Sequence, residues 1–556
     1  MPVKMTGKRA FLEMLRLEGV THIFGNPGTS EGPILDALEE YTDVFRYTLV
    51  LQEGVAVGAA DAFARVTGRA AFVSLHIQSG LANGISLMHN AYAGGTPMVV
   101  TSANFDVRNA AEGMSNLTEF VRPVTKWAIE LRHPEQIPSV MRRAFNEANT
   151  HPKGPVYVGL TSNALEDEGL MTLVPSTPMH GAGAPHPDAL ARAAMIVSNS
   201  RRPLMLVGDR ASVDGGPEAA ARLAEMIGAP VYEAPAAEVG FPRDHPQYMG
   251  QLSTRSAEHR DLLRRSDAVI AVGANVFWDP FYSGDVFLSE DAELVHIDPS
   301  AGVIGRSEPT TVGMLADPVL ALDALSDALG AGLSDAQRLA VNERAAEISA
   351  ENGARRAEFE SMASERWEQR PMTPARMMYE LSCALPEDAL LIDDAISSRA
   401  ALRHYVRAKR PGDMHGERGG AIGWGIGAAL GAKLARPERP VVGVLGDGSA
   451  MLNVQALWTA CNDNIPAVFV ICNNSSYRIL KVNMDAYKRD VLQEQEPGSR
   501  YLYMDFPTPL DFASMAQSMG VSGRRITEPE HIGPALKEAL QSGRPAVLDV
   551  VIDGSV

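Results

Sequence analysis

Apolar runs of strand length that break abruptly into Gly, Asp, Asn or Ser recur along this chain. In the first third they fall at residues 20–24, 47–51, 71–75 and 97–101. Helical patterns separate them: residues 8–19 carry one apolar face, and a helix of small residues opens at Glu53. Fully buried strands of a parallel sheet read as continuous apolar runs rather than as alternating ones. Strands alternating with helices therefore predict a doubly wound, mostly parallel sheet. Gly25-Asn-Pro-Gly28 is a turn into a further helix, with Thr29 or Ser30 expected as its cap.

The pattern returns twice. Residues 171–187, rich in Pro and Gly, read as a linker. Runs at 203–208, 229–233, 268–273 and 293–298 then predict a second, Rossmann-like sheet. A helical segment over 334–369 leads to a helix start at Thr373-Pro374. Runs at 389–393, before Asp447, at 469–472 and at 546–552 predict a third sheet. With 556 residues the chain is too long for one core. The fold class is α/β, with three doubly wound, mostly parallel-sheet domains.

Candidate chemistry gathers where the third set of runs breaks. Val444-Leu-Gly-Asp-Gly-Ser449 and Cys472-Asn-Asn474 put polar residues at strand carboxyl ends, where open α/β sheets bind ligands. Asp447 and Asn474 would then be neighbouring oxygen donors. Gly446 and Gly448 let the backbone approach an anion, and Ser449 can donate to it. A carboxylate, an amide oxygen and a phosphate together suit Mg²⁺. Taken alone, the Gly-Asp-Gly turn also fits a capped strand-to-helix turn, and Glu53 fits a helix-start carboxylate favoured by the macrodipole.

Together the two motifs resemble the thiamine diphosphate (ThDP) enzyme family. The run Glu53…Ala60-Asp61-Ala62…Ala64-Arg65…Thr67-Gly68 is similar to that family's pyrimidine-domain signature. The resemblance implies that Glu53 hydrogen-bonds the cofactor's aminopyrimidine and supports removal of the thiazolium C2 proton. An apolar surrounding makes a carboxyl hold its proton more readily, which suits that exchange. Gly25-Asn-Pro-Gly-Thr29 and His76-Ile-Gln-Ser-Gly80 with Asn83 resemble the benzoylformate decarboxylases within the family. This implies that Thr29 and His76 face the substrate, with Gln78 also directed into the site; His22 and His89 have no such support and are expected to be packed or capped.

In the last third the same resemblance assigns Ser397, Gly448 and Ser449 to the diphosphate. The Gly420 carbonyl would accept from the 4′-amino group, and Ile422 would wedge the cofactor into its bent form. Asp447, Asn474 and the Ser476 carbonyl would hold Mg²⁺. The implied domains are pyrimidine-binding (1–170), central Rossmann-like (187–345) and diphosphate-binding (370–556). The central one is expected to be empty, since Gly208-Asp-Arg-Ala-Ser lacks a full G-x-G-x-x-G.

The chain departs from the benzoylformate decarboxylases at Pro280, where they carry a second active-site histidine. His415, Glu417 and Arg418 read either as a solvated loop or as recognition of a more polar substrate. The polar stretch 485–505 reads as a lid or as a surface loop.

Composition narrows the rest. A net charge of −18 argues against non-specific nucleic-acid or anionic-membrane binding. No apolar run approaches the ~20 residues that span a bilayer, and the first residues lack a signal-peptide pattern, so a soluble, cytoplasmic protein is expected. Cys383, Cys461 and Cys472 have no C-x-x-C spacing and are expected as buried, inert thiols. The resemblance implies a cofactor shared between subunits, hence a homodimer as the smallest active unit and commonly a homotetramer. It points first to a ThDP- and Mg²⁺-dependent decarboxylase converting a 2-oxoacid to an aldehyde and CO₂. The alternatives are an acetolactate-synthase-like carboligase or lyase acting on an aldehyde or 2-hydroxyketone, and a binding protein without catalysis.

Overall fold

The computed structural model describes residues 1–112, 115–177, 181–234, 238–277, 286–330, 332–494 and 500–556. The 274–282 segment, with Pro280, lies largely outside these residues. Three six-stranded sheets flanked by helices, with one antiparallel pair, Val3–Thr6 and Glu168–Met171, make up the described chain. No helix among the described residues is long and apolar enough to cross a membrane.

The first sheet runs in the order Arg46–Leu49, His22–Gly25, Ala71–Leu75, Met98–Asn104, Pro155–Thr161 and Trp127–Leu131, all parallel. Its strand order reverses between His22–Gly25 and Ala71–Leu75, the kind of switch point at which doubly wound sheets open a ligand crevice. The loop after Gly25 and the residue His76 lie there. The third sheet places Leu390–Asp394, Val441–Gly446, Val468–Asn473, Ala546–Val551 and Ser522–Ile526 side by side in parallel. Asp447 and Asn474 thus follow adjacent strands.

Both sheets belong to one compact unit, made of Met1–Met179, Trp367–Leu402 and Glu417–Val556. The helix Glu53–Thr67 packs on the helix Gly425–Ala435, and their small residues are the reason they can. A Cβ on Gly431 would lie 1.9 Å from the Ala59 carbonyl oxygen. Val55, Val57, Trp424, Leu430 and Phe469 join one buried apolar core there. The Trp424 indole donates to Asp61 at 2.7 Å, Arg65 pairs with Asp61 at 3.2 Å, and its guanidinium stacks 4.9 Å over the Trp424 ring.

The second unit comprises His180–Arg366 and Arg403–Gly416. Its sheet runs Tyr248–Gln251, Val231–Glu233, Pro203–Val207, Ala268–Val272, Glu293–Asp298, Val312–Leu315, again parallel. At its carboxyl ends Arg210 grips the buried Asp298 with both nitrogens, at 2.9 and 2.8 Å. Residues 403–416 cluster with this unit. Buried charges hold them: Arg403 pairs with Glu233 at 3.3 Å and His415 with Glu238 at 2.7 Å.

Several local expectations shift. The first helix spans Gly7–Leu17. Neither Thr29 nor Ser30 caps the turn Thr29–Glu31; the Glu31 carboxylate accepts from the Gly28 N–H at 3.0 Å instead. Of the cysteines only Cys472 is buried, whereas Cys461 is half-buried and Cys383 exposed.

Candidate active site

Glu53 is the first residue of its helix and is 6% exposed. Two asparagines hold its carboxylate: Asn26 donates to Oε1 at 3.0 Å and Asn83 to Oε2 at 2.8 Å. Asn26 comes from the turn after the first-sheet strand and Asn83 from the helix Ile77–Gly94. Neither is charged, so the carboxylate is oriented without an ion pair among the described residues.

His76 stands between the strand Ala71–Leu75 and that helix. Its Nδ1 lies 2.8 Å from Oε2 of Glu31, whose side chain is buried. The imidazole rests against Gly28, where a Cβ would come within 2.1 Å of Nδ1. A side chain at position 28 would therefore displace the ring. Thr29 is exposed in the same turn, and Gln78 accepts from the Ser115 hydroxyl at 2.8 Å. His22 packs against Phe24 and Phe63, and burial pushes it down to about 4; His89 is exposed.

Asp447 is 3% exposed, and its carboxylate takes the N–H of Gly448 at 2.7 Å and of Asn474 at 3.0 Å. Burial pushes it up to about 6 against those hydrogen bonds. The Asn474 side-chain oxygen takes the Ser476 N–H at 2.9 Å. The returning segment fastens this loop: the Met504 carbonyl accepts from Tyr477 N–H at 2.8 Å and from the Ser476 hydroxyl at 3.0 Å. Tyr501 donates to Asp485, and Lys481 pairs with Asp505. The described part of 485–505 is thus a helix end and a pinned return, with residues 495–499 outside the description.

Gly448 faces Tyr477, whose ring a Cβ would meet at 2.4 Å, so packing against that ring already demands a glycine there. The Ser449 hydroxyl donates to Asp394 and accepts from the Gly423 N–H at 2.8 Å. Asp394 also accepts from the Gly425 N–H at 2.9 Å, and burial raises it to about 7. Ser397 is half-buried in the turn Ile396–Ser398. Gly420, with φ +91°, has open space on its Cβ side.

Ile422 is half-buried between two pinned neighbours. Asn90 bonds both the N–H and the carbonyl of Ala421, at 3.0 and 2.7 Å, and Asn453 donates to the Gly423 carbonyl at 2.7 Å. Three non-glycine residues with positive φ, Ile77, Ile396 and Ser475, follow three strand ends at this site. Such strain persists where the surroundings over-determine the backbone, commonly at ligand-binding positions.

Glu417 and Arg418 do not form a solvated loop. Burial raises the Glu417 carboxyl, and Arg418 donates to Thr96 at 2.7 Å beside the end of the Ile77–Gly94 helix. Sequence reasoning also missed Glu31, Asn90, Asp394 and Asn453. The one available signal was a polar residue inside an apolar stretch, as at Asn90.

Residues 5–121, 190–325 and 395–550 match, in that order, the thiamine pyrophosphate enzyme N-terminal TPP binding domain, central domain and C-terminal TPP binding domain. Benzoylformate decarboxylase of Pseudomonas aeruginosa is 32% identical over 97% of this chain and 98% of its own. The chain belongs to the thiamine pyrophosphate (ThDP) enzyme family. A probable acetolactate synthase large subunit of Methanocaldococcus jannaschii is 28% identical over 99% of this chain and 92% of its own. The solved ThDP-dependent 4-hydroxybenzoylformate decarboxylase of Rhodococcus jostii superposes with a TM-score of 0.83 at 27% identity, covering 99% of both chains.

The donor set fits the family's cofactor. Asp447 is a buried carboxylate with no Lys or Arg partner among the described residues, a costly arrangement that a divalent cation relieves. The Asn474 N–H reaches that carboxylate, its side-chain oxygen is neutral, and a Cβ at Gly420 would meet nothing within 4 Å.

Proposed function

We propose that this ThDP enzyme is a Mg²⁺-dependent decarboxylase of a 2-oxoacid, releasing CO₂ and an aldehyde. The observation that carries the reading is the buried Glu53 carboxylate, held by two neutral asparagines at the strand-order switch point. Bound ThDP supplies the nucleophilic carbon and the electron sink for loss of CO₂. Glu53 holds and returns a proton at its carboxylate, and Asn26 and Asn83 fix the direction in which it does so. Ile422, on its clamped backbone, would pack against the bound cofactor. Asp447, Asn474 and the Ser476 carbonyl hold Mg²⁺, with Ser397, Gly448 and Ser449 at the diphosphate. Thr29 and His76 orient the substrate carboxylate and manage the proton delivered to the product.

The test is a panel of 2-oxoacids with purified protein, ThDP and Mg²⁺, measuring CO₂ and identifying products. Turnover of at least one member is expected, and Glu53→Gln should lower it at least ~100-fold at saturating ThDP. Near-normal turnover by Glu53→Gln would falsify the mechanism.

A carboligase is the second reading, favoured by one feature: residues 274–282 contain no histidine to share proton delivery with His76. Slow protonation would leave time for a second carbonyl to react. Product analysis with and without added aldehyde separates the two; acyloin as the main product selects carboligation.

A further inference from the structure

The buried carboxylate of Glu31 has no part in the reading above. Its side chain is 2% exposed and sits under the candidate site. Oε1 accepts from the Ala103 N–H at 2.9 Å, and Oε2 from the Gly28 N–H at 3.0 Å and from His76 Nδ1 at 2.8 Å. The two backbone groups can only donate, and a carboxylate only accepts, so an ionised Glu31 is matched on every side when the His76 proton is on Nδ1. Buried charges are normally paired. Among the described residues, Glu31 has no Lys or Arg partner, and its only side-chain hydrogen bond is to His76. The other titratable groups near it are the Tyr47 and Tyr157 phenols, both pushed up by burial and therefore neutral. Glu53 lies beside Gly80 and is bonded to Asn26 and Asn83.

His76 is held on a second side by Gly28 and keeps a 31% exposed side chain. Its Nε2 makes no hydrogen bond among the described residues. We propose that Glu31 is the positioning residue of His76: it fixes the Nδ1–H tautomer and the ring direction, so that Nε2 alone faces the substrate and exchanges protons there. In the neutral ring Nε2 accepts, and in the charged ring it donates to the substrate carboxylate, while Nδ1–H stays on Glu31 throughout. The inference rests on the substrate-facing role given to His76 above.

The test is ¹⁵N NMR of the ThDP- and Mg²⁺-loaded enzyme labelled at histidine, together with kinetics. The wild type should show His76 protonated at Nδ1 and bare at Nε2 when neutral. Glu31→Gln keeps the shape but can point its amide at Nδ1, so the tautomer should invert to Nε2–H. Its kcat should fall about 10–100-fold, the cost typical of losing a partner that orients a histidine, with ThDP affinity unchanged. In a His76→Ala background, Glu31→Gln should lower kcat no further. A neutral Nε2–H ring in the wild type, or additive losses in the double variant, overturns the proposal. If Glu31→Gln does not fold, the wild-type spectrum decides: a neutral Nε2–H ring rules the proposal out, and an Nδ1–H ring supports it. Should no 2-oxoacid be turned over, the decarboxylase reading fails while the tautomer still reports on Glu31.

Discussion

Asp447 carries a tension that can be measured. Four backbone N–H groups favour its charged form, yet burial outweighs them and raises it to about 6. A metal binds the carboxylate and must displace any proton on it. The sign follows: above about pH 6 the site is ready for Mg²⁺, and below it the proton competes. Isothermal titration should find Mg²⁺ affinity flat above that point and falling up to about tenfold per pH unit beneath it. Affinity unchanged down to pH 4.5 would remove Asp447 from the ligand set. The positions of Asp447, Asn474 and Glu53 just past strand ends were legible in the sequence because apolar runs stop there. Glu31 was not, because its meaning depends on Ala103, which lies 72 residues away. Asn90 was hidden in the same way, since it clamps a loop 331 residues further on. No local pattern encodes such partners.

Between elements, Asp394 joins the end of one strand to the start of the Gly425–Ala435 helix and to the turn at Ser449. Its Oδ1 has no hydrogen-bond partner among the described residues, and burial lifts the group from 3.8 to about 7. A carboxyl raised on folding stabilises the native state fully below its unfolded value, and this stability is lost as pH rises through the folded value. The window is therefore about pH 4 to 7. At about 1.4 kcal/mol for each pH unit crossed, ligand-free wild type should lose up to a few kcal/mol relative to Asp394→Asn across it. Thermal melts at pH 4, 5.5 and 7 check this; parallel curves for the two proteins would show that Asp394 is ionised throughout. Central strands such as Val468–Asn473 were legible because burial on both faces makes them continuously apolar. Most edge strands were not, although Arg46–Leu49 was read within the run at 47–51. Ser522–Ile526 carries Arg524 and Arg525, and the antiparallel pair Val3–Thr6 with Glu168–Met171 mixes charged and apolar residues.

For the whole molecule, the two carboxylates of the candidate site are held by separate sets of residues. The hydrogen-bonding partners of Glu53 are Asn26 and Asn83, those of Asp447 are Gly448, Asn474, Ser475 and Ser476, and the two sets share no residue. Leu51, Met451, Leu452 and Leu480, close in sequence to these groups, are 41–51% exposed, apolar area that association would cover. The family resemblance implies that one subunit supplies Glu53 and its partner supplies Asp447 across a two-fold interface. Complementation tests it. Glu53→Gln and Asp447→Asn should each be nearly inactive alone. When equal amounts exchange subunits at random, about half the dimers are mixed, and a two-fold axis gives each mixed dimer one site with both substitutions and one with neither. Activity should therefore recover to about a quarter of wild type. If both residues act within one chain, every site keeps a substitution, and the mixture stays at the level of its two inactive parents.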